Sequence, residues 1–111
     1  MDYVEDKNPK DKSGLTPLHR AAFDGFLEIF KLIFENVEEK SPRDSGEGFT
    51  PLHYAAMYGH LEICKCIISK VEDKDLAINS KSVWGHDTPL QLAQRHRHQH
   101  VVDYMKSQQE H

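Results

Sequence analysis

Three histidines crowd into the run H-R-H-Q-H: His96, His98 and His100. On one uninterrupted helix His96 and His100 would share a face at i, i+4, a spacing that suits zinc. Catalytic zinc takes three protein ligands and keeps a position open, yet apart from Asp103 the segment offers no cysteine or carboxylate nearby. The run also falls at a turn between two short helices, with Arg97 in a slot that other copies fill with glycine. A solvated polar helix end is the favoured reading, and no metal is expected. Cys64 and Cys66 lie two residues apart, so on a helix they point in different directions and cannot bridge without distortion. Cys64 falls in an apolar column, where a thiol behaves as a small hydrophobe. Thr16, Thr50 and Thr88 each precede a proline and read as helix caps, not nucleophiles. There is no phosphate-cradling glycine loop, no G-x-S-x-G and no inward pair of carboxylates. No catalytic residue and no cofactor is expected.

A recurring phrase sets where these residues sit. It reads T-P-L-H-R-A-A-F-D-G at Thr16–Gly25 and T-P-L-H-Y-A-A-M-Y-G at Thr50–Gly59, with a worn copy, T-P-L-Q-L-A-Q-R-H-R, at Thr88–Arg97. The threonine hydroxyl can cap a helix, and proline suits the first helical position, where no N–H is needed. Leu18, Ala21 and Ala22 share one face, as do Leu52, Ala55 and Ala56, and the small alanines let neighbouring units approach closely. Gly25 and Gly59 end the helix. A second helix follows, with core columns Ile29/Ile63/Val101, Phe30/Cys64/Val102 and Ile33/Ile67/Met105 at i, i+3, i+4 spacing. Each unit is therefore a helix–turn–helix whose parts are too short to stand alone, so stability must come from stacking. The connectors repeat as well: V-E-D-K-N-P-K-D from Val4, V-E-E-K-S-P-R-D from Val37 and V-E-D-K-D from Val71. Gly14 and Gly48 suggest hairpin-type turns within them. The third connector is longer, with its extra residues inside Leu76–Asp87, and it holds the single tryptophan, Trp84.

The T-P-L-H-x-A phrase and its period resemble the ankyrin repeat family. The likeness covers about residues 4–108 and includes G-H-L-E-I at Gly59–Ile63. The first copy has Phe26 in place of that histidine, and the third has Gln91, Gln94 and Arg97 in place of histidine, alanine and glycine. The resemblance implies an all-α fold, an ankyrin-repeat solenoid of stacked helix–turn–helix units with hairpin-like connectors. It divides a single domain, 1–111, into the tail of a preceding repeat (1–10), repeat 1 (11–43), repeat 2 (44–79), and repeat 3 with a C-terminal cap (80–108). It also implies that His19 and His53 are structural and bond to neighbouring backbone. His60 reads as structural too, and His86 as exposed in the long connector.

The function so implied is that of a scaffold, a non-catalytic protein–protein interaction module. Its protein partner would be gripped on a concave face built from the first helices and the connector tips. The residues of that face outside the Leu/Ala stripe are Arg20, Phe23 and Asp24 in unit one, Tyr54, Met57 and Tyr58 in unit two, and Leu92, Arg95 and His96 in unit three. Aromatic residues, methionine and arginine are the types that interface cores favour. The alternative is a structural spacer within a longer array, with no partner of its own. A net charge of -4 argues against a nucleic-acid-wrapping surface. No apolar run approaches the ~20 residues that span a bilayer, and the acidic start is no secretory signal. Reduced thiols suit the cytoplasm, or the nucleus.

Val4–Lys7 reads as the tail of a repeat whose helices are missing, as if the chain began partway through an array; an atypical first repeat is the other reading. Either way the first unit is expected to leave a flank open, with Phe26, Phe30 and Phe34 as the exposed candidates and self-association as the consequence. The last helix carries Gln99 and Lys106 where earlier units carry leucine and a large apolar residue, which reads as a cap. Leu15 and Phe49 either pack between units or contribute to the contact face, and Trp84 either covers the core of the last unit, the favoured reading, or projects as an anchor.

Overall fold

The computed structural model describes residues 9–12, 14–82 and 87–109. The expectations for Val4–Lys7, Trp84 and His86 lie outside them. Among the described residues there are seven helices and no strand: α1 (Pro17–Asp24), α2 (Leu27–Asn36), α3 (Pro51–Met57), α4 (Leu61–Ile68), α5 (Lys74–Ile78), α6 (Pro89–Arg95) and α7 (Gln99–Gln109). The pairs α1/α2, α3/α4 and α6/α7 are hairpins. α1, α3 and α6 stand side by side in one layer, and α2, α4 and α7 back them in a second.

Each first helix starts with the same reciprocal cap. The Thr16 hydroxyl accepts from the His19 N–H at 3.3 Å, and the Thr16 N–H donates to His19 Nδ1 at 3.0 Å. Thr50 and His53 repeat this at 3.4 and 3.0 Å. In α6 the box survives the loss of histidine, because Gln91 Oε1 accepts from the Thr88 N–H at 3.0 Å. Two of the N–H groups that every helix leaves unpaired at its start are thus satisfied.

The helices end less uniformly. Gly25 and Gly59 both take φ 75°, in the left-handed region. In unit three that position is Arg97, at φ 62°, the one non-glycine residue with positive φ among the described residues. The lysine of the V-E-x-K phrase closes the second helices. Lys74 Nζ donates to the Ile68 carbonyl at 2.9 Å, and Lys40 Nζ donates to the carbonyls of Phe34 and Val37. A cation at a helix C-terminus also meets the negative end of the helix dipole. The connector tips close as hairpin-like turns: Asp11 N–H to the Leu15 carbonyl, Asp44 to Phe49 and Ser82 to Asp87, at 2.8, 3.0 and 2.9 Å.

The alanine stripe is buried as expected, with Ala22, Ala55, Ala56 and Ala93 fully so. Ile63, Cys64, Ile67, Val101, Val102 and Met105 fill the second-helix columns. The first unit departs from its column. Ile29 is 52% exposed while its counterpart Ile63 is 1% exposed. Phe30 and Phe34 are buried, stacked on each other with centroids 5.2 Å apart, so the open flank belongs to Phe26 and Ile29 instead. The reason is helical phase: Phe30 and Phe34 fall on the side of α2 that joins the core cluster, whereas Phe26 and Ile29 line the cleft beside α1. α5 lies where the sequence pattern predicts only connector. Asp73 caps it by accepting from the Leu76 N–H at 3.0 Å, and Ile78 is buried where α5 meets α4, α6 and α7.

A side chain in the left-handed region costs ~1–2 kcal/mol. Arg97→Gly should therefore raise unfolding stability by ~1 kcal/mol, read as a higher urea midpoint at unchanged m-value.

Candidate interaction surface

Five of the eight histidines tie one unit to the next. In His19 and His53 the Nδ1 atom accepts a backbone N–H, so the remaining proton sits on Nε2 and is donated. His19 Nε2 meets the Phe49 carbonyl at 2.9 Å and His53 Nε2 meets the Ser80 carbonyl at 2.8 Å, each in the connector of the following unit. Burial lowers the pKa of both, that of His53 to about 4, where nearby Arg43 adds to the effect. Both rings are used in the neutral form, one nitrogen accepting and the other donating.

A second ladder runs at the other end of the helices. His60 Nε2 lies 3.1 Å from the Phe23 carbonyl, and His98 Nε2 lies 2.9 Å from the Met57 carbonyl. His100 adds a bond to the Gly59 carbonyl at 3.2 Å. The rings of His60 and His98 rest against Gly25 and Gly59: a Cβ there would come within 2.5 Å of His60 Cε1 and 2.6 Å of His98 Nδ1. These glycines serve the left-handed turn and also make room for the next unit's ring. The H-R-H-Q-H run is therefore no single helical face. His96 follows α6, Arg97 turns the chain, and His98 precedes α7. The signal was available in the register, since His98 follows Arg97 as His60 follows Gly59. Among the described residues no group of three or more His, Cys, Asp or Glu is placed to hold a metal. Cys64 is buried, which pushes its thiol up to about 12.

The candidate contact residues divide into separate groups. Phe23, Tyr54 and Tyr58 come together across the joint between α1 and α3. Phe23 lies 4.6 Å from Tyr58 and 5.9 Å from Tyr54 between ring centroids. Phe23 is 42% exposed and Tyr58 44%, while Tyr54 is half-buried. The Tyr54 hydroxyl donates to the Asp44 carboxylate, whose other oxygen accepts the N–H groups of Gly48 and Phe49 at 2.9 and 3.1 Å. Burial, then the Asp44 contact, raises the Tyr54 pKa, so its phenol stays a donor. Tyr54 also stands edge-on to His19 and Phe49. It is a strut between helix and connector more than a free contact group. Phe49 is buried, stacked on His53 of its own unit at 5.0 Å.

Met57 is half-buried beside this patch. Leu92 does not belong to it. It is only 2% exposed, a correction to its place among the contact residues. The Tyr54 slot is already half covered, and a shorter apolar chain with no polar tip disappears into it. Arg95 is exposed but engaged with Asp87 at 2.5 Å. Arg20 and Asp24 are exposed on the other flank of α1, along a cleft shared with Leu15, Phe26, Ile29 and Ile33. Sequence reasoning missed Asp44 as the anchor of Tyr54. It also missed Arg43, which donates to the carbonyls of Gly48 and Lys81 and to the Ser80 hydroxyl at 2.7, 2.8 and 2.7 Å. Arg43 thereby fastens two neighbouring connector tips.

A family model described as ankyrin repeats, in three copies, matches residues 2–80 and 36–111 of the chain. A search of curated proteins finds no match. No helix among the described residues is long and apolar enough to cross a membrane.

His19 and His53 give a signed pH dependence. Their folded pKa values lie below the unfolded value near 6.5, so both states are neutral above it and stability is flat there. As pH falls below about 6.5 the unfolded chain takes up protons first and stability drops, with the His53 contribution fading near pH 4. Urea unfolding between pH 7 and 4 should show this decline. His53→Gln, which keeps an acceptor for the Thr50 N–H as Gln91 does for Thr88, should make the decline shallower.

Proposed function

From the premise that this chain belongs to the ankyrin repeat family, whose repeats generally mediate protein–protein interaction, we propose a non-catalytic module that binds a protein partner through the patch of Phe23, Tyr54 and Tyr58. The observation carrying this reading is the contact of two half-exposed aromatic rings, Phe23 and Tyr58, across the α1–α3 joint. Single exposed apolar residues are common and need no explanation. Two large rings touching each other at the surface, on a scaffold fixed by the Tyr54–Asp44 strut, are what an interface centre requires. Neither ring would lose much freedom on binding, because the histidine ladder and Asp44 already hold their helices. Met57 borders the patch, and Arg20, Asp24 and Arg95 belong to its surroundings. Self-association belongs to a different face, the apolar flank of α1 and α2. Two free thiols, both raised in pKa chiefly by burial, suit a reducing compartment such as the cytoplasm or nucleus.

The test uses Phe23→Ala and Tyr58→Ala, since both side chains are largely outside the core; Tyr54→Ala would break the strut and confuse binding with folding. A partner captured by the wild-type chain should bind the double variant more weakly by at least ~2 kcal/mol in titration calorimetry, at unchanged melting temperature. Equal affinity would place the contact elsewhere, and a chain that captures nothing would favour the spacer reading.

A further inference from the structure

We infer that the partner of the aromatic patch presents an acidic segment, with a large apolar residue on Phe23 and Tyr58 and a carboxylate on Arg43 and Lys81. This partner chemistry rests on the reading that the patch binds a protein.

Arg43 is the group that calls for a carboxylate. Its guanidinium bridges two connectors, donating to the carbonyls of Gly48 and Lys81 at 2.7 and 2.8 Å and to the Ser80 hydroxyl at 2.7 Å. All three acceptors are neutral. Of the five N–H groups in a guanidinium, the Nε–H and one Nη2–H are left unbonded among the described residues. The side chain is exposed, and the ion pairs among the described residues, Lys65–Glu62 and Arg95–Asp87, do not include it. Lys81, whose carbonyl Arg43 holds, is exposed beside it. A cation already fixed in place loses little freedom when an anion arrives, and a hydrogen bond to a charged acceptor is roughly twice as strong as a neutral one.

The neighbouring carboxylates are engaged. Asp44 accepts from the Tyr54 hydroxyl and from the N–H groups of Gly48 and Phe49, and Asp87 is paired with Arg95. Charge is also divided across the molecule. Among the described residues, the first helices and connectors (9–24, 41–58 and 79–97) carry seven Lys and Arg against five Asp and Glu. The second helices and the turns behind them (25–40, 59–78 and 98–109) carry six against nine. A net charge of -4 thus hides a positive side, and it is the side of the patch. Such a field draws an acidic partner to that side. Asp24 and Glu47 are exposed among its cations, so the unbroken charge of a phosphate chain fits it poorly.

Tyr54 sets the interval between anchor and carboxylate. Its ring lies 5.9 Å from that of Phe23, and its hydroxyl meets Asp44, the residue after Arg43. A tyrosine's length separates patch from cation, which is about three residues of extended chain at ~3.3 Å each.

The probe is a displayed library of random dodecapeptides selected on the full chain. Enriched peptides should be acidic, with Asp or Glu about three residues from a Leu, Phe, Tyr or Trp. The strongest, synthesised, should bind about tenfold more tightly than its Asn/Gln analogue, and the advantage should shrink as salt is raised. Lys81→Glu and Arg43→Gln should each bring that acid-to-amide ratio below about threefold. Reading a ratio cancels any loss of affinity that loosened connectors cause. Neutral or basic enriched peptides, no enrichment, a ratio near unity, or equal competition by a single-stranded oligonucleotide overturns the proposal. Phe23→Ala/Tyr58→Ala should weaken the acidic peptide and its analogue alike. Neutral peptides lost on that double variant would sink the acidic partner and leave the patch standing, whereas peptides indifferent to both rings would sink the two together.

Discussion

Helices of five to eleven residues, such as those found here, sit below the length at which a helix holds its own in water. Every one of them depends on a neighbour to bury its apolar stripe. The alanines make this possible at short range: Ala22, Ala55, Ala56 and Ala93 are fully buried, and small side chains let backbones approach closely enough for the larger apolar columns to be buried as well. Stability is therefore shared along the stack, and each unit's own contribution is conditional on the next.

Polar groups fix the register that burial alone would leave loose. Apolar contact is non-directional, so a slip of one residue between units would cost little by area. The two histidine ladders prevent it. His19 and His53 work at the connector end, where the ring first completes a capping box and then reaches the following connector. His60 and His98 work at the other end, against glycines that admit their rings. At His19 and His53 the ring joins a local cap to an inter-unit bond, while His60 and His98 make the inter-unit bond alone. Where the third unit replaces His53 by Gln91, the local half persists, and the bond onward has no following unit to serve among the described residues.

The same ties make the surface patch firm. Tyr54 cannot swing freely, because its hydroxyl is held by a carboxylate that is itself holding the turn of its connector. Phe23 of α1 packs against both Tyr54 and Tyr58 at α3, so the patch follows from the joint between units and not from either unit alone. The open flank of α1 and α2 differs in kind: it has the apolar and small residues of an internal joint but lacks the histidine that would mark it as one.

Repeat number, helix phase, the threonine caps and the alanine stripe were legible in the sequence, because each depends on residues within one turn or one period of each other. The burial of Cys64 was legible for the same reason, while the structural role of His19 and His53 followed from the resemblance to the ankyrin repeat family. What escaped depended on residues brought together from 10 to about 40 positions apart. Asp44 as the anchor of Tyr54, Arg43 as a link between tips, and His98 as a seat on Gly59 all required the units to be stacked before their partners existed. Helix α5 escaped because five residues carry too little periodicity to announce a helix, and only Ile78, once given a site among α4, α6 and α7, makes it worth forming. Leu92 and Ile29 were misplaced in opposite directions: Leu92 because a shorter apolar chain sinks into the half-covered slot that Tyr54 fills in unit two, and Ile29 because its slot does not have the neighbours that cover Ile63. Sequence spacing settles which way a side chain points from its own helix, while its exposure is decided by whether another unit is there to meet it.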